Sequence, residues 1–121
     1  MLVGVGQSPE LLHRLRQREL PTVHTMVHPP PPGLVCVGFD NARAMGQAVR
    51  YLLDLGHRRI AKLAGLSSHN DRAAARIEGV SAALKTARLS LPPQHLVECP
   101  YGLAEAAATP GPCPRTSTAA D

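Results

Sequence analysis

The sequence predicts an α/β protein with a partial, doubly wound parallel sheet of about five strands, three helices and a disordered C-terminal tail. Short apolar runs alternate with amphipathic stretches, and that alternation implies right-handed crossovers between parallel strands. A polar or glycine-bearing turn also follows each predicted strand. The predicted strands cover residues 2–6, 22–27, 34–39, 60–64 and 95–99.

The first helix has the clearest start signal. Ser8 is a favoured N-cap residue, and Pro9 stands at the first helical position, where its missing N–H costs nothing. An apolar stripe follows, and Pro21 is expected to end the helix. The proline-rich residues 29–33 then predict a loop before the third strand.

Two longer helices follow. Asp40 or Asn41 can cap the second, and Gly56 suits a left-handed C-cap position. The third is expected to begin at Asp71 and to end before Pro92. Helical spacing predicts two inward faces: Ala44, Met45, Ala48, Val49, Leu52, Leu53 and Leu55 on the second helix, and Ala74, Ile77, Val80, Ser81, Leu84 and Ala87 on the third.

Composition limits the class of protein. The 121 residues suffice for one small domain, and aromatic residues make up only 2%, which disfavours base stacking on exposed rings. The net charge is +4, but the arginines are scattered, so we expect most of them on solvated faces. Cys36 and Cys99 fall in predicted strands and are interpreted as small buried residues of a cytoplasmic protein. The chain shows neither a signal peptide nor a membrane span.

No catalytic or metal-binding pattern is apparent. The six histidines do not cluster with carboxylates, and the chain has no Gly-x-Ser-x-Gly or phosphate-loop motif. Gly4-x-Gly6 faintly resembles a dinucleotide loop, but the third glycine and the acidic residue after the next strand are missing. We therefore predict a binding protein without catalytic residues, bound metal or cofactor.

The predicted turns themselves suggest a ligand site. In an open α/β sheet, small ligands bind in the crevice outside the carboxyl ends of the strands. A run of sequence motifs surrounds these turns and resembles one family in combination, although each motif alone is weak. The motifs are Gly38-Phe39-Asp40-Asn41, Leu55-Gly56-His57-Arg58-Arg59-Ile60, Ala64-Gly65 and Arg76-x-x-Gly79 followed by Ala82-Ala83-Leu84.

Residues 2–105 resemble the effector-binding core of the LacI/GalR family of bacterial transcriptional regulators. The resemblance implies a cytoplasmic homodimer with a two-lobed, periplasmic-binding-protein-like sensor. It also implies a sugar-like or nucleoside-like effector between the lobes, and DNA binding through an N-terminal helix-turn-helix domain. Compared with that pattern, we expect this chain to lack the helix-turn-helix domain and the two β-α units that would precede the first strand. We expect residues 1–105 to form a partial effector-binding lobe that stops before the second lobe, and residues 106–121 to be a disordered tail.

The resemblance also implies site residues. Arg76 is the leading ligand contact, because its rigid fork of donors can hold effector oxygens in one orientation. Asn41 or Asp40 would accept hydrogen bonds from sugar hydroxyls, while Gln7 and Ser68 would line the cleft. Structural roles stay open: Arg76 could pair with Glu78 or solvent, and Asp40 or Asn41 could be a plain N-cap.

Two other origins keep the same fold. The chain could be a lobe of a periplasmic sugar-binding protein of a transporter, or a flavodoxin-like enzyme domain. A leader peptide encoded upstream would favour the transporter, whereas an upstream helix-turn-helix would favour the regulator.

Overall fold

A computed structural model describes residues 1–108 and confirms an α/β fold with parallel strands. The five strands of this range are β1 (Leu2–Val3), β2 (His24–Thr25), β3 (Cys36–Val37), β4 (Lys62–Gly65) and β5 (Leu96–Cys99). Its four α-helices are α1 (Pro9–Gln17), α2 (Asn41–Asp54), α3 (Asp71–Thr86) and α4 (Leu103–Ala108). A 3₁₀ turn (Pro93–His95) precedes β5.

The strands divide between two sheets. One has the order β1-β2-β3, and the other pairs β4 with β5; all neighbouring strands are parallel. The chain leaves the first sheet after β3 and passes directly into α2. Within residues 1–108, therefore, the partial sheet predicted from the sequence consists of two separately paired pieces.

Helix α1 begins as predicted and ends earlier than predicted. The Ser8 side chain accepts a hydrogen bond from the Leu11 amide at 3.3 Å, and Pro9 is the first helical residue. The helix ends at Gln17 because Glu19 adopts a positive φ of 51° and its amide turns back to the Arg16 carbonyl. Pro21 therefore lies beyond the helix and is not what ends it.

The core is centred on the contact between α2 and α3. Its buried members are Val49 from α2 and Val80, Ala83 and Leu84 from α3. The predicted inward faces are too wide for α2 and partly misplaced for α3. The exposed residues among those predicted to face inward are Ala48, Leu52, Leu55, Ala74 and Ser81. On α3, Ala73 and Ala83 are buried instead.

The close approach of the two helices depends on a glycine. A Cβ placed on Gly79 of α3 would overlap the backbone carbonyl group of Ala42 in α2. Gly46 lies in the same interface with more space, because a Cβ there would be 3.6 Å from the Gly79 oxygen. Gly79 thus explains in packing terms the glycine of the Arg-x-x-Gly motif.

Other local predictions concern single residues and the domain boundary. Gly56 has the left-handed φ of 91° expected after α2, and Asp71 is the first residue of α3. Cys36 and Cys99 lie in strands, half-buried and buried respectively. The predicted domain boundary at residue 105 falls inside α4, so residues 106–108 are helical; residues 109–121 of the predicted tail lie outside the described residues.

Candidate functional site

The turns after β1 and β2 lie against the first residues of α2 and α3. The amide of Val5, just after β1, donates to Oδ2 of Asp71 at 3.1 Å. Gly6 in the same turn is near the loop before α3, since a Cβ there would be 3.3 Å from the His69 oxygen. These contacts bring the carboxyl ends of the first sheet and the start of α3 together at one rim.

Asn41 is the centre of this rim. It is the first residue of α2, it is only 6% exposed, and its Nδ2 donates to the Met26 carbonyl after β2 at 3.0 Å. Its Oδ1 accepts from Nε of Arg76 at 2.8 Å. A buried amide of this kind is held by both its donor and its acceptor, so Asn41 connects β2, α2 and α3.

Arg76 is held in place by that contact. It is half-buried on α3, whereas Glu78, its possible surface partner, is exposed. Within residues 1–108, the Arg76 side chain makes one hydrogen bond, from Nε to Asn41. The N–H groups of its two terminal nitrogens are therefore available to another hydrogen-bond acceptor.

Asp40 has the structural role that the sequence left open. Its Oδ1 accepts from the Arg43 amide at 2.8 Å, which makes Asp40 the N-cap of α2. It also lines a small cavity of about 80 Å³ together with Asn41, Asp71 and Arg72. Asp40 and Asn41, at the start of α2, thus both border this cavity.

Gln7 and Ser68 are less directly involved. Gln7 folds back on its own turn, with Nε2 donating to the Val3 carbonyl at 2.8 Å. Its Oε1 is buried and has no hydrogen-bond partner among the described residues. Ser68 is exposed in the loop before α3. The structure therefore joins Arg76 directly to Asn41, places Asp40 beside them, and leaves Gln7 and Ser68 on adjoining turns.

Two charged side chains of the second sheet have shifted pKa values. Burial, followed by the positive charge of Arg76, holds the pKa of Lys62 below its ordinary value of 10.5. Hydrogen bonding from Ser67 lowers the pKa of Glu98, whose Oε1 accepts from the Ser67 amide at 2.6 Å. Lys62 thus adds a cation near Arg76, and Glu98 fixes the loop that leads to α3.

Sequence reasoning missed three residues at this rim: Lys62, Asp71 as a side-chain acceptor, and Arg72. Arg72 was expected on a solvated face, yet it is half-buried and its Nε has no hydrogen-bond partner among the described residues. The signal was available in the spacing, because Arg72 precedes Arg76 by four residues and so shares its helix face.

A larger open groove of about 360 Å³ lies beneath α1. It is lined mainly by Leu12, Leu15, Leu34 and Val35, with the buried ring of His24 at its floor. Nδ1 of His24 lies 2.9 Å from the Gly4 carbonyl and carries the hydrogen of that contact. This groove is mixed in character, because Arg16 and Thr22 line it beside the apolar side chains, and it shares no lining residue with the rim around Asn41 and Arg76.

Within residues 1–108, no group of three or more histidine, cysteine or acidic side chains is arranged to hold a metal ion. None of the helices in that range has the length and apolar character needed to cross a membrane.

Comparison with known families and structures gives a consistent result. Residues 2–106 match the family described as periplasmic binding proteins and the sugar-binding domain of the LacI family. No curated protein sequence matches this chain significantly.

Several solved regulators have a similar structure. The transcription regulator GntR from Chromobacterium violaceum is 29% identical with a TM-score of 0.71, over 80% of this chain and 34% of that one. A LacI-family regulatory protein from Chloroflexus aggregans is 27% identical with a TM-score of 0.67, over 80% and 34% of the two chains. A LacI regulator from Bacillus cereus subsp. cytotoxis is 26% identical with a TM-score of 0.69, over 79% and 34%.

The chain thus spans about a third of the length of the regulators to which it is similar. The family match covers nearly all of the described residues, and it includes the rim formed by Asn41 and Arg76. The chain belongs to the family of periplasmic binding proteins and LacI-type sugar-binding domains.

Proposed function

We propose that this chain is part of the effector-sensing domain of a LacI-type transcriptional regulator and binds a small sugar-like or nucleoside-like molecule. The effector lies at the rim where the turns after β1, β2 and β3 meet α3. It is held by Arg76 and Asn41, with Asp40, Gln7 and Ser68 around it. The role is one of binding, without catalysis.

One observation carries the proposal: the hydrogen bond between Nε of Arg76 and Oδ1 of Asn41. It fixes the guanidinium in a single orientation and leaves its terminal donors available. A pre-oriented donor fork binds oxygens at lower entropic cost than a freely rotating side chain does. Effectors rich in hydroxyl, carboxylate or phosphate oxygens suit such a site.

The longer protein is proposed to be a cytoplasmic homodimer that binds DNA through a separate helix-turn-helix domain. The solved structures support the regulator class, since they are transcriptional regulators by description. The 121-residue chain itself should show no operator specificity, because no base-reading helix-turn-helix is recognisable in its sequence. A gel shift with operator DNA at moderate salt checks this, and a sequence-specific shift would contradict it.

A lobe of a periplasmic sugar-binding protein is the second candidate, because the matching family includes that class. The DNA upstream of the coding region separates the two candidates. An in-frame helix-turn-helix supports the regulator, and a cleavable apolar leader supports the transporter.

Effector binding is tested by titrating the chain with D-galactose, D-glucose 6-phosphate, D-ribose and adenosine, followed by calorimetry or ligand-observed NMR. Arg76→Ala should weaken any binding by about tenfold or more, since charge-assisted hydrogen bonds are lost. Arg58→Ala is the matched control, because Arg58 is exposed and lies before β4. Equal affinity in the two variants would place the site elsewhere.

A further inference from the structure

We propose that the face of the first sheet opposite α1 is a self-association surface, through which two copies of this chain stack face to face. This open sheet face consists of Val3 on β1, Val23 and Thr25 at β2, and Val37 on β3. None of the four residues lines the cavity beside Asn41. The inference is therefore independent of the proposed effector site.

The register of the sheet places these side chains together. Val3 pairs with Thr25, and Thr25 pairs with Val37. Paired residues of neighbouring strands lie on the same face of a sheet, as do residues two apart along one strand, which adds Val23. The Leu2 amide donates to the Val23 carbonyl at 2.9 Å, so the pairing of β1 with β2 extends to that residue.

Helix α1 lies on the opposite face. The next row of the sheet is Leu2, His24 and Cys36. His24, at its centre, is only 2% exposed and borders the groove beneath α1. In contrast, Val3 is 48% exposed and Val37 is 65% exposed. Parallel sheets are normally covered on both faces, yet residues 1–108 leave much of the open sheet face to solvent.

The chemistry of this face selects its partner. None of its four side chains is charged, and the Thr25 hydroxyl already donates to the Leu2 carbonyl at 3.2 Å. A partner that carries charged groups would have to bury them here without ionic partners, which is unfavourable. A second copy brings an equally uncharged face, and two-fold symmetry sets each face against its equivalent. The open sheet face is therefore complementary to itself.

The size of the face determines the strength of the contact. Standard protein interfaces bury about 800 Å² and about 20–30 residues on each partner. The open sheet face is smaller, although two stacked sheets can interdigitate their side chains. We therefore expect a reversible dimer that dissociates at micromolar concentrations.

The first test is sedimentation velocity of the 121-residue chain between about 1 and 100 μM. The expected result is a shift from monomer to dimer as the concentration rises, with no loss of dimer when sodium chloride is added, because apolar contacts are not screened. A monomer at every concentration would overturn the proposal. A dimer that dissociates in salt would indicate charged contacts instead and would overturn it too.

Lysine substitutions test which surface carries the contact. Val37→Lys and Val3→Lys place a charge at opposite ends of one row, and each should weaken dimerisation by about tenfold or more. Leu55→Lys is the matched control, because Leu55 is a similarly exposed apolar residue on α2, and it should leave dimerisation unchanged. An effect of Val37→Lys alone would indicate pairing along the edge of β3. An effect of Leu55→Lys would indicate contact through α2, and either result contradicts face-to-face stacking.

A thermal melt establishes that each variant is folded. Where a lysine variant fails to fold, Val37→Thr replaces it, since threonine has nearly the shape of valine and adds only a hydroxyl. This variant should weaken dimerisation severalfold, and an unchanged dissociation constant in folded Val37→Thr would contradict burial of the face. Effector titrations are read separately, so a failure of dimerisation leaves the proposed function intact, and the reverse also holds.

Discussion

Nε of Arg76 donates a hydrogen bond of 2.8 Å to Oδ1 of Asn41, which joins α3 to the first residue of α2 across 35 positions of sequence. Asn41 also donates to the Met26 carbonyl, so one buried side chain joins three segments. Asn41→Ala would leave that carbonyl and the guanidinium without their partner. We expect a loss of about 1–3 kcal/mol in the free energy of unfolding, measured by urea denaturation. A change within the error of the measurement would show that the contact does not stabilise the fold.

The contact between α2 and α3 gives a paired prediction on two glycines. Gly79→Ala should destabilise the chain because the added Cβ overlaps the Ala42 carbonyl and the helices must separate. We expect about 1–3 kcal/mol by chemical denaturation, the range for overpacking. Gly46→Ala is the control: space for a Cβ exists there, and alanine favours the helix by up to about 1 kcal/mol. Equal effects at the two sites would show that the helices do not approach more closely at Gly79 than at Gly46.

The burial of Leu84 defines the core face of α3. This side chain is 1% exposed and packs with Val49 and Val80. Leu84→Ala should cost about 2–5 kcal/mol in the free energy of unfolding, since it removes buried contacts and leaves a cavity. Leu55→Ala should cost less than about 0.5 kcal/mol, because Leu55 is 58% exposed. Similar losses of stability in the two variants would show that Leu55 is packed in the core, as helical spacing predicts for α2.

Lys62 makes stability depend on alkaline pH. Its pKa in the folded state lies below 10.5, owing to burial and the nearby Arg76 charge. Between those two pKa values the unfolded chain binds more protons than the folded chain, so stability should rise as pH increases through that window. Denaturation midpoints compared at about pH 8 and about pH 10 measure this contribution.

The control for that pH effect is Lys62→Met, which keeps most of the length of the side chain without its charge. The variant should gain less stability than the wild type over the same alkaline range. Parallel pH profiles for the two proteins would show that Lys62 titrates alike in the folded and unfolded chains.

Local signals in the sequence predict the element order and the caps well. Ser8 with Pro9, Asp40 and Gly56 each depend on the neighbouring backbone alone, and the structure has them as predicted. The juxtaposition of Arg76 with the residues after β3 could also be anticipated, because parallel strands present their carboxyl ends at one edge.

Features set by tertiary contacts could not be predicted in this way. Helical spacing cannot distinguish Leu55 from Val49, because both positions suit an apolar stripe and only packing against α3 selects one. The requirement for Gly79 arises from the carbonyl of Ala42, which lies on a different helix. The division of the strands between two sheets depends on which edges pair, and apolar runs carry no information on pairing partners.

Arg72 shows the same limit at the site. It lines a cavity together with Val27 and Asp40, which are distant from it in sequence and follow β2 and β3. Because the arginines are scattered along the sequence, sequence reasoning places Arg72 on a solvated face. The ligand roles of Arg76, Asn41, Asp40, Ser68 and Gln7 remain predictions to be tested by binding.

The most direct test of the proposed site is a map of backbone and side-chain NMR shifts during titration with whichever probe binds. The account predicts that the shifts cluster on the turn after β1, on Asn41 and on α3 from Asp71 to Arg76. Shifts clustered instead on Leu12, Leu15 and Val35, in the groove beneath α1, would contradict it.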